Sequence, residues 1–176
     1  IHSTAATINP TAHADHKQKR QGHLPILAVE EPTDLAVEAF RSLRTSLHFG
    51  MIDARTRSLA ITSSAPDAGK SFTAINLAVV AAQAGQRVCL VDTDLRRGQL
   101  RRHFDLPRNQ PGLAEVLSGA SSLEDALLQE VLPNLAFLPS GRYPPNPSEL
   151  LMRQDFAALI EMLNGEFDLA IFDCPP

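Results

Sequence analysis

The chain has 176 residues, a formal net charge of −4, 44% hydrophobic residues and 20% charged ones. That length suits one domain and excludes a second large one, and the charge argues against a general nucleic-acid binder, whose affinity would come from Lys and Arg neutralising phosphates. No stretch approaches the roughly 18–20 apolar residues of a membrane span, so the composition is that of a water-soluble globular piece.

Residues 1–25 hold Ser, Thr, Ala, four of the six histidines and the basic group Lys17, Lys19 and Arg20, without an apolar period. They read as a flexible, basic, His-rich linker. His2, His13, His16 and His23 follow no ligand spacing tied to Cys or carboxylates, so the tract is taken as solvated rather than metal-binding. Short basic stretches also flank membrane helices on the cytoplasmic side. The folded domain is expected over 26–176. Because the sequence begins without Met and stops after an apolar run, it reads as a piece of a longer protein, truncated on the C-terminal side of that domain.

After Pro32, Leu35, Ala36, Ala39, Phe40, Leu43 and Leu47 recur at helical intervals, with Thr33 or Asp34 placed to cap the start. Four apolar runs of strand length follow, at 58–62, 87–92, 135–138 and 168–173. None alternates with period two, the mark of strands buried on both faces of a parallel sheet. Helical patterns lie between them at 70–84, 113–117, 123–132 and 148–163, the last preceded by Asn146 and Pro147, which suit a cap and first turn. Strands alternating with helices predict βαβ crossovers and a layered α/β domain of the P-loop NTPase type, with a mostly parallel sheet flanked by helices. Cys89 and Cys174 sit in or beside apolar runs and read as reduced core thiols.

The most informative stretch runs from Ser58 through Gly69, Lys70 and Ser71 to Ala78: strand, tight loop, Gly-Lys-Ser, helix. In that order the loop amides and the helix N-terminus converge on one point and stabilise a phosphate chain. Ser64, Ala65, Pro66, Asp67, Ala68, Gly69, Lys70, Ser71 and Phe72 form the expected phosphate cradle. Lys70 is placed to reach the β- and γ-phosphates and Ser71 to ligate Mg²⁺. Ser64 stands six positions before the lysine, where the motif has Gly, a substitution that strains the chain if that position needs positive φ. The second run ends with Asp92 and Asp94 and the fourth with Asp173. Parallel strands bring all three to the edge that carries the phosphate loop, where carboxylates beside Lys70 and Ser71 make a Mg²⁺–nucleotide site.

These segments, with Glu38-Ala-Phe-Arg41-Ser-Leu-Arg44-Thr45 and the run Gly141 to Leu151, resemble the cytoplasmic kinase domain of bacterial tyrosine kinases, the BY-kinases that act with polysaccharide co-polymerases in capsule and exopolysaccharide export. The likeness extends from about Leu24 to the end. It implies an ATP-dependent protein-tyrosine autokinase. Lys70 and Ser71 fall in its Walker A motif, Asp92 and Asp94 in its second, Walker A′ motif, and Asp173 in Walker B. Lys70, Asp92 and Asp94 are then catalytic, with Asp92 accepting the tyrosine proton. Ser71, Asp92, Asp94 and Asp173 surround Mg²⁺. The resemblance also implies that Glu38, Arg41 and Arg44 meet a neighbouring subunit in a ring-shaped homo-oligomer, where composition alone suggests a solvated helix face. Further implied partners are a membrane co-polymerase segment or adaptor and a cognate phosphatase, with no nucleic acid, at the cytoplasmic face of the bacterial inner membrane. Arg96 and Arg97 stand equally for nucleotide charge stabilisation and for surface solvation.

Two rivals remain open. A partitioning or cell-division ATPase shares the sheet, but such proteins carry a signature lysine where this chain has Ala65. A non-catalytic nucleotide-binding scaffold of an export complex is favoured by Ser64 and by the single tyrosine, Tyr143.

Overall fold

The computed structural model describes residues 24–176; the linker expectation for residues 1–23 lies outside the described residues. Strand β1 (Ser58–Ile61), β2 (Val88–Asp92), β4 (Leu135–Leu138) and β5 (Leu169–Asp173) run parallel, and β3 (Leu128–Leu132) pairs antiparallel with β4. The order across the sheet is β1-β5-β2-β4-β3. Successive residues of β2 supply opposite faces, as strand geometry requires. Val88 and Leu90 pack with helix α3 (Lys70–Gln83), whereas Cys89 and Val91 pack with helices α4 (Leu113–Ser118) and α7 (Gln154–Glu166). This two-sided burial is why the inner strands read as unbroken apolar runs. The predicted layered fold, with its mostly parallel sheet, is the observed one.

Helix α2 (Leu35–Gly50) begins at Asp34, not Thr33: the Asp34 carboxylate accepts from the Ala36 amide at 2.7 Å. It covers α3, whose residues Ala74–Ala82 are all buried because the sheet lies on one side and α2 on the other. A short helix, α1 (Leu27–Glu30), has no sequence period and is held by tertiary bonds instead. The fully buried Asn76 accepts from the Ala28 amide at 2.8 Å and donates to the Phe72 carbonyl at 2.8 Å.

Two expected elements differ. The helix predicted over 123–132 ends at Ala126 as α5 (Leu123–Ala126), and the chain turns into β3, packing Leu128, Val131 and Leu132 into the core on the α3 side of the sheet. Glu130 takes a left-handed φ of 51° within the irregular pairing to β4, which hides the strand pattern from a reading by alternation. The helix predicted over 148–163 is divided into α6 (Pro147–Leu151) and α7, with Arg153 extended between them. The break lets Leu150 and the pair Leu159 and Leu163 all reach the core that Cys89 and Val91 share with α4. β1 is also less enclosed than predicted, since it is an edge strand with Ala60 exposed. A 3-10 turn over Leu100–Phe104 follows β2.

Candidate active site

The phosphate loop joins β1 to α3. Gly69 occupies the left-handed region at φ 83°, and Asp67 does so at φ 57°; Ser64 does not, so its side chain brings no backbone strain. The substitution at the motif's first position is therefore compatible with the loop. Helix α3 has no acidic residue in its first turn and no side-chain cap, leaving its N-terminal amides and positive dipole end for an anion. Loop residues Pro66 to Phe72, Lys70 and Ser71 among them, line one cavity of about 1190 Å³; Ser64 and Ala65 lie outside its lining.

The same cavity is lined by Asp92, Asp94 and Asp173. Register explains the convergence: Asp92 and Asp173 are lateral partners at the ends of β2 and β5. Asp173 Oδ2 accepts from Ser71 Oγ at 2.6 Å, which ties the fourth predicted strand to the loop after the first. Its Oδ1 is buried and accepts no hydrogen bond among the described residues. Burial raises the Asp173 pKa, opposed by the Ser71 hydroxyl and the Lys70 ammonium. Asp92 is 1% exposed; its oxygens accept from the amides of Asp94 at 3.2 Å and Leu100 at 3.3 Å. Burial, and then the Asp173 carboxylate, push its pKa up to about 8. Asp94 Oδ1 accepts from the amides of Arg96 and Arg97, a local Asx turn that fixes the loop after β2.

An unpartnered buried carboxylate oxygen beside a serine hydroxyl fits a hard divalent cation. No group of three His, Cys, Asp or Glu clusters tightly enough to hold a metal among the described residues. That suits Mg²⁺, which typically binds through one or two carboxylates, substrate phosphates and water. Ser71 and Asp173 are the residues best placed for it.

Gly98 closes the loop against the site. A Cβ there would lie 2.3 Å from Ser140 Oγ and 2.7 Å from Asp92 Oδ2, so no side chain fits. Tyr143 donates its hydroxyl to the Gly98 carbonyl at 3.2 Å. Arg96, Arg97, Arg101, Arg108 and Arg142 also line the cavity. Arg101 and Arg108 belong to no motif read from the sequence, and the run holding Arg142 and Tyr143 carried a resemblance but no assigned chemistry. The available signal was topological: Arg142 and Tyr143 follow the carboxyl end of a parallel strand, where such folds build their sites.

The helical trio sits apart on α2. Glu38 and Arg41 form an exposed ion pair, but Arg44 turns toward α3 and donates to the Val80 carbonyl at 3.4 Å. Cys89 and Cys174 are both free, and burial raises the Cys89 thiol pKa. Among the described residues no helix is long and apolar enough to cross a membrane.

Fold and site together define a P-loop nucleotide-binding α/β domain. The family model described as an AAA domain matches residues 56–176. The chain belongs to this AAA domain family, in the branch of bacterial tyrosine-kinase domains. Tyrosine-protein kinase ptk of Acinetobacter johnsonii is 44% identical over 158 residues, covering 90% of this chain and 21% of that protein. The solved BceF tyrosine kinase domain superposes with a TM-score of 0.83 at 46% identity, over 89% of this chain and 62% of that one. The septum site-determining protein MinD of Pyrococcus horikoshii, solved with Mg-ADP, gives a TM-score of 0.59 at 29% identity, over 68% of this chain and 49% of that one. The chain spans about a fifth of the length of the curated relatives it matches.

Proposed function

We propose that this domain is the catalytic part of an ATP-dependent protein-tyrosine kinase that phosphorylates tyrosines of neighbouring copies and regulates exopolysaccharide or capsule synthesis and export. The observation that carries the reading is one cavity lined by Lys70, Ser71, Asp92, Asp94 and Asp173 in a chain 44% identical to a tyrosine-protein kinase.

The division of labour follows from charge and position. The amides of the loop and of the α3 N-terminus hold the triphosphate, and Lys70 neutralises its β- and γ-oxygens. Ser71 and Asp173, with Asp92 and Asp94 lining the same cavity, would hold Mg²⁺, and the bound ion would supply neutralisation of phosphate charge. Asp92 takes the phenolic proton as the tyrosine oxygen bonds to the γ-phosphorus and the bond from that phosphorus to the β-phosphate oxygen breaks, releasing ADP. The ordinary tyrosine pKa near 10 makes a positioned base useful.

In the same reading residues 1–25 are a linker to a membrane co-polymerase segment or adaptor, and 26–176 are the kinase domain. The protein works at the cytoplasmic face of the inner membrane, and a cognate phosphatase reverses the modification. The exposed Glu38–Arg41 pair on α2 contributes to contact between copies in a ring. Incubating the intact protein with γ-labelled ATP and Mg²⁺ tests the kinase assignment. Label on tyrosine, lost in Lys70→Met and Asp92→Asn, is the expected result. Label recovered only as inorganic phosphate would support a regulatory ATPase of the MinD kind, and no nucleotide binding would leave a scaffold.

A further inference from the structure

The cavity's charge has the opposite sign to the chain's. The chain carries a formal −4, yet the cavity wall bears six cations, Lys70 and five arginines, against the carboxylates of Asp67, Asp92, Asp94 and Asp173. Lys70 serves the phosphates. Of the arginines, Arg96 donates to Ser148 Oγ at 3.3 Å and Arg101 to the Leu106 carbonyl at 3.3 Å. Arg97, Arg108 and Arg142 make no side-chain hydrogen bond or ion pair among the described residues, and all three are exposed.

Sheet order says which side of the reaction these cations serve. Along the carboxyl edge come first the phosphate loop after β1, then Asp173 on β5, then Asp92 on β2 with Asp94 just beyond it, and finally the loop after β4 that carries Arg142. Three strand spacings, about 14 Å, separate the exits of β1 and β4. Arg142, in the loop after β4, thus stands on the far side of the proposed base from the phosphate loop, and Arg97 and Arg108, in the loop after β2, line the same cavity. A tyrosine that delivers its proton to Asp92 comes in from that side, with its neighbouring residues against the arginine wall.

Resting on the kinase reading, we infer that the wall selects the acceptor: Arg97, Arg108 and Arg142 favour a tyrosine embedded in an anionic segment, whether the negative charges are carboxylates or phosphates already on adjacent tyrosines. Guanidinium forks pair bidentately with either group. Such complementarity acts mainly through encounter and register, so it weakens with salt.

The test uses the intact protein with three tyrosine peptides, flanked by glutamates, glutamines or lysines, and a fourth carrying neighbouring phosphotyrosines. Binding is read by fluorescence anisotropy at saturating non-hydrolysable Mg-nucleotide, and turnover as kcat/KM. The glutamate peptide is expected to bind roughly tenfold more tightly than the glutamine peptide at low salt, and the lysine peptide least of all, with the advantage shrinking as salt rises. The phosphotyrosine peptide, compared with the glutamate one, identifies the preferred source of charge. Arg108→Gln with Arg142→Gln should bring the glutamate and glutamine peptides to equal affinity without changing affinity for Mg-nucleotide. Equal binding of all peptides by the unmodified protein overturns the inference, as does a double variant that loses nucleotide affinity while keeping the peptide preference. Absence of phosphate transfer to any tyrosine would instead overturn the kinase reading, and the binding measurements would still decide the acidic preference.

Discussion

Replacing Asp92 by Asn in metal- and nucleotide-free protein should change how stability depends on pH. Asp92 titrates near 3.8 when exposed and near 8 in the folded chain, because it is buried beside Asp173. The folded state therefore keeps a proton that the unfolded state releases between those values. The resulting stabilisation is fully present below about pH 4, declines as pH rises, and is gone above about pH 8. At 1.36 kcal/mol per unit the span corresponds to about 6 kcal/mol. Asn cannot ionise, so most of that slope disappears, with a shallower remainder from Asp173, whose pKa is also raised. The amide nitrogen of the substituted side chain would face a backbone N–H of Asp94 or Leu100, at a pH-independent loss of about 1–2 kcal/mol. The variant is thus less stable below about pH 4 and more stable at pH 9, and the two curves cross in between. Urea unfolding at half-unit pH steps in EDTA measures both curves. Parallel curves would show that Asp92 is not held protonated, and would sink the argument from its burial.

Ser71→Ala removes the 2.6 Å bond to Asp173 and one proposed Mg²⁺ ligand. Nucleotide affinity measured by calorimetry should fall roughly tenfold or more in excess Mg²⁺ and stay unchanged in EDTA. Gly112→Ala sets a Cβ 2.1 Å from the Pro139 carbonyl oxygen and 2.5 Å from the Gly141 nitrogen, both backbone atoms. Calorimetric melting should show a loss of about 3 kcal/mol, or about 6–12 °C in Tm. Arg87→Gln removes the partner whose hydrogen bonds hold the Asp168 pKa below the ordinary carboxylate range. Asp168 contributes stability that is lost as pH falls through its lowered pKa, so acid unfolding followed by circular dichroism should begin at a higher pH in the variant.

The sheet was legible because β2, β4 and β5 are enclosed on both faces, and enclosure writes itself as unbroken apolar residues. The phosphate loop was legible because its amides act through backbone geometry, which restricts the sequence locally. β3 was not, since its pairing depends on Leu128 and Leu132 meeting Phe137 and Leu135, contacts that a single helical-looking run does not encode. Nor was the break between α6 and α7: no Gly or Pro marks Arg153, and the turn is imposed by where Leu150 and Leu159 find their core. At the site, Asp92, Asp94 and Asp173 could be placed from parallel strand direction alone. The bond from Ser71 to Asp173, and the meeting of Arg108 with Arg142 in the lining of one cavity, join residues 102 and 34 positions apart, beyond the reach of any local pattern.

Asn76 spends its two amide ends on different parts of the chain, its oxygen on Ala28 and its nitrogen on Phe72. Withdrawing the incoming segment would strand that oxygen in an apolar layer, a penalty of about 1–3 kcal/mol. The entrance of the folded domain and the floor under the bound phosphates are thereby yoked. Tension applied ahead of Leu24 would be felt one residue from Ser71.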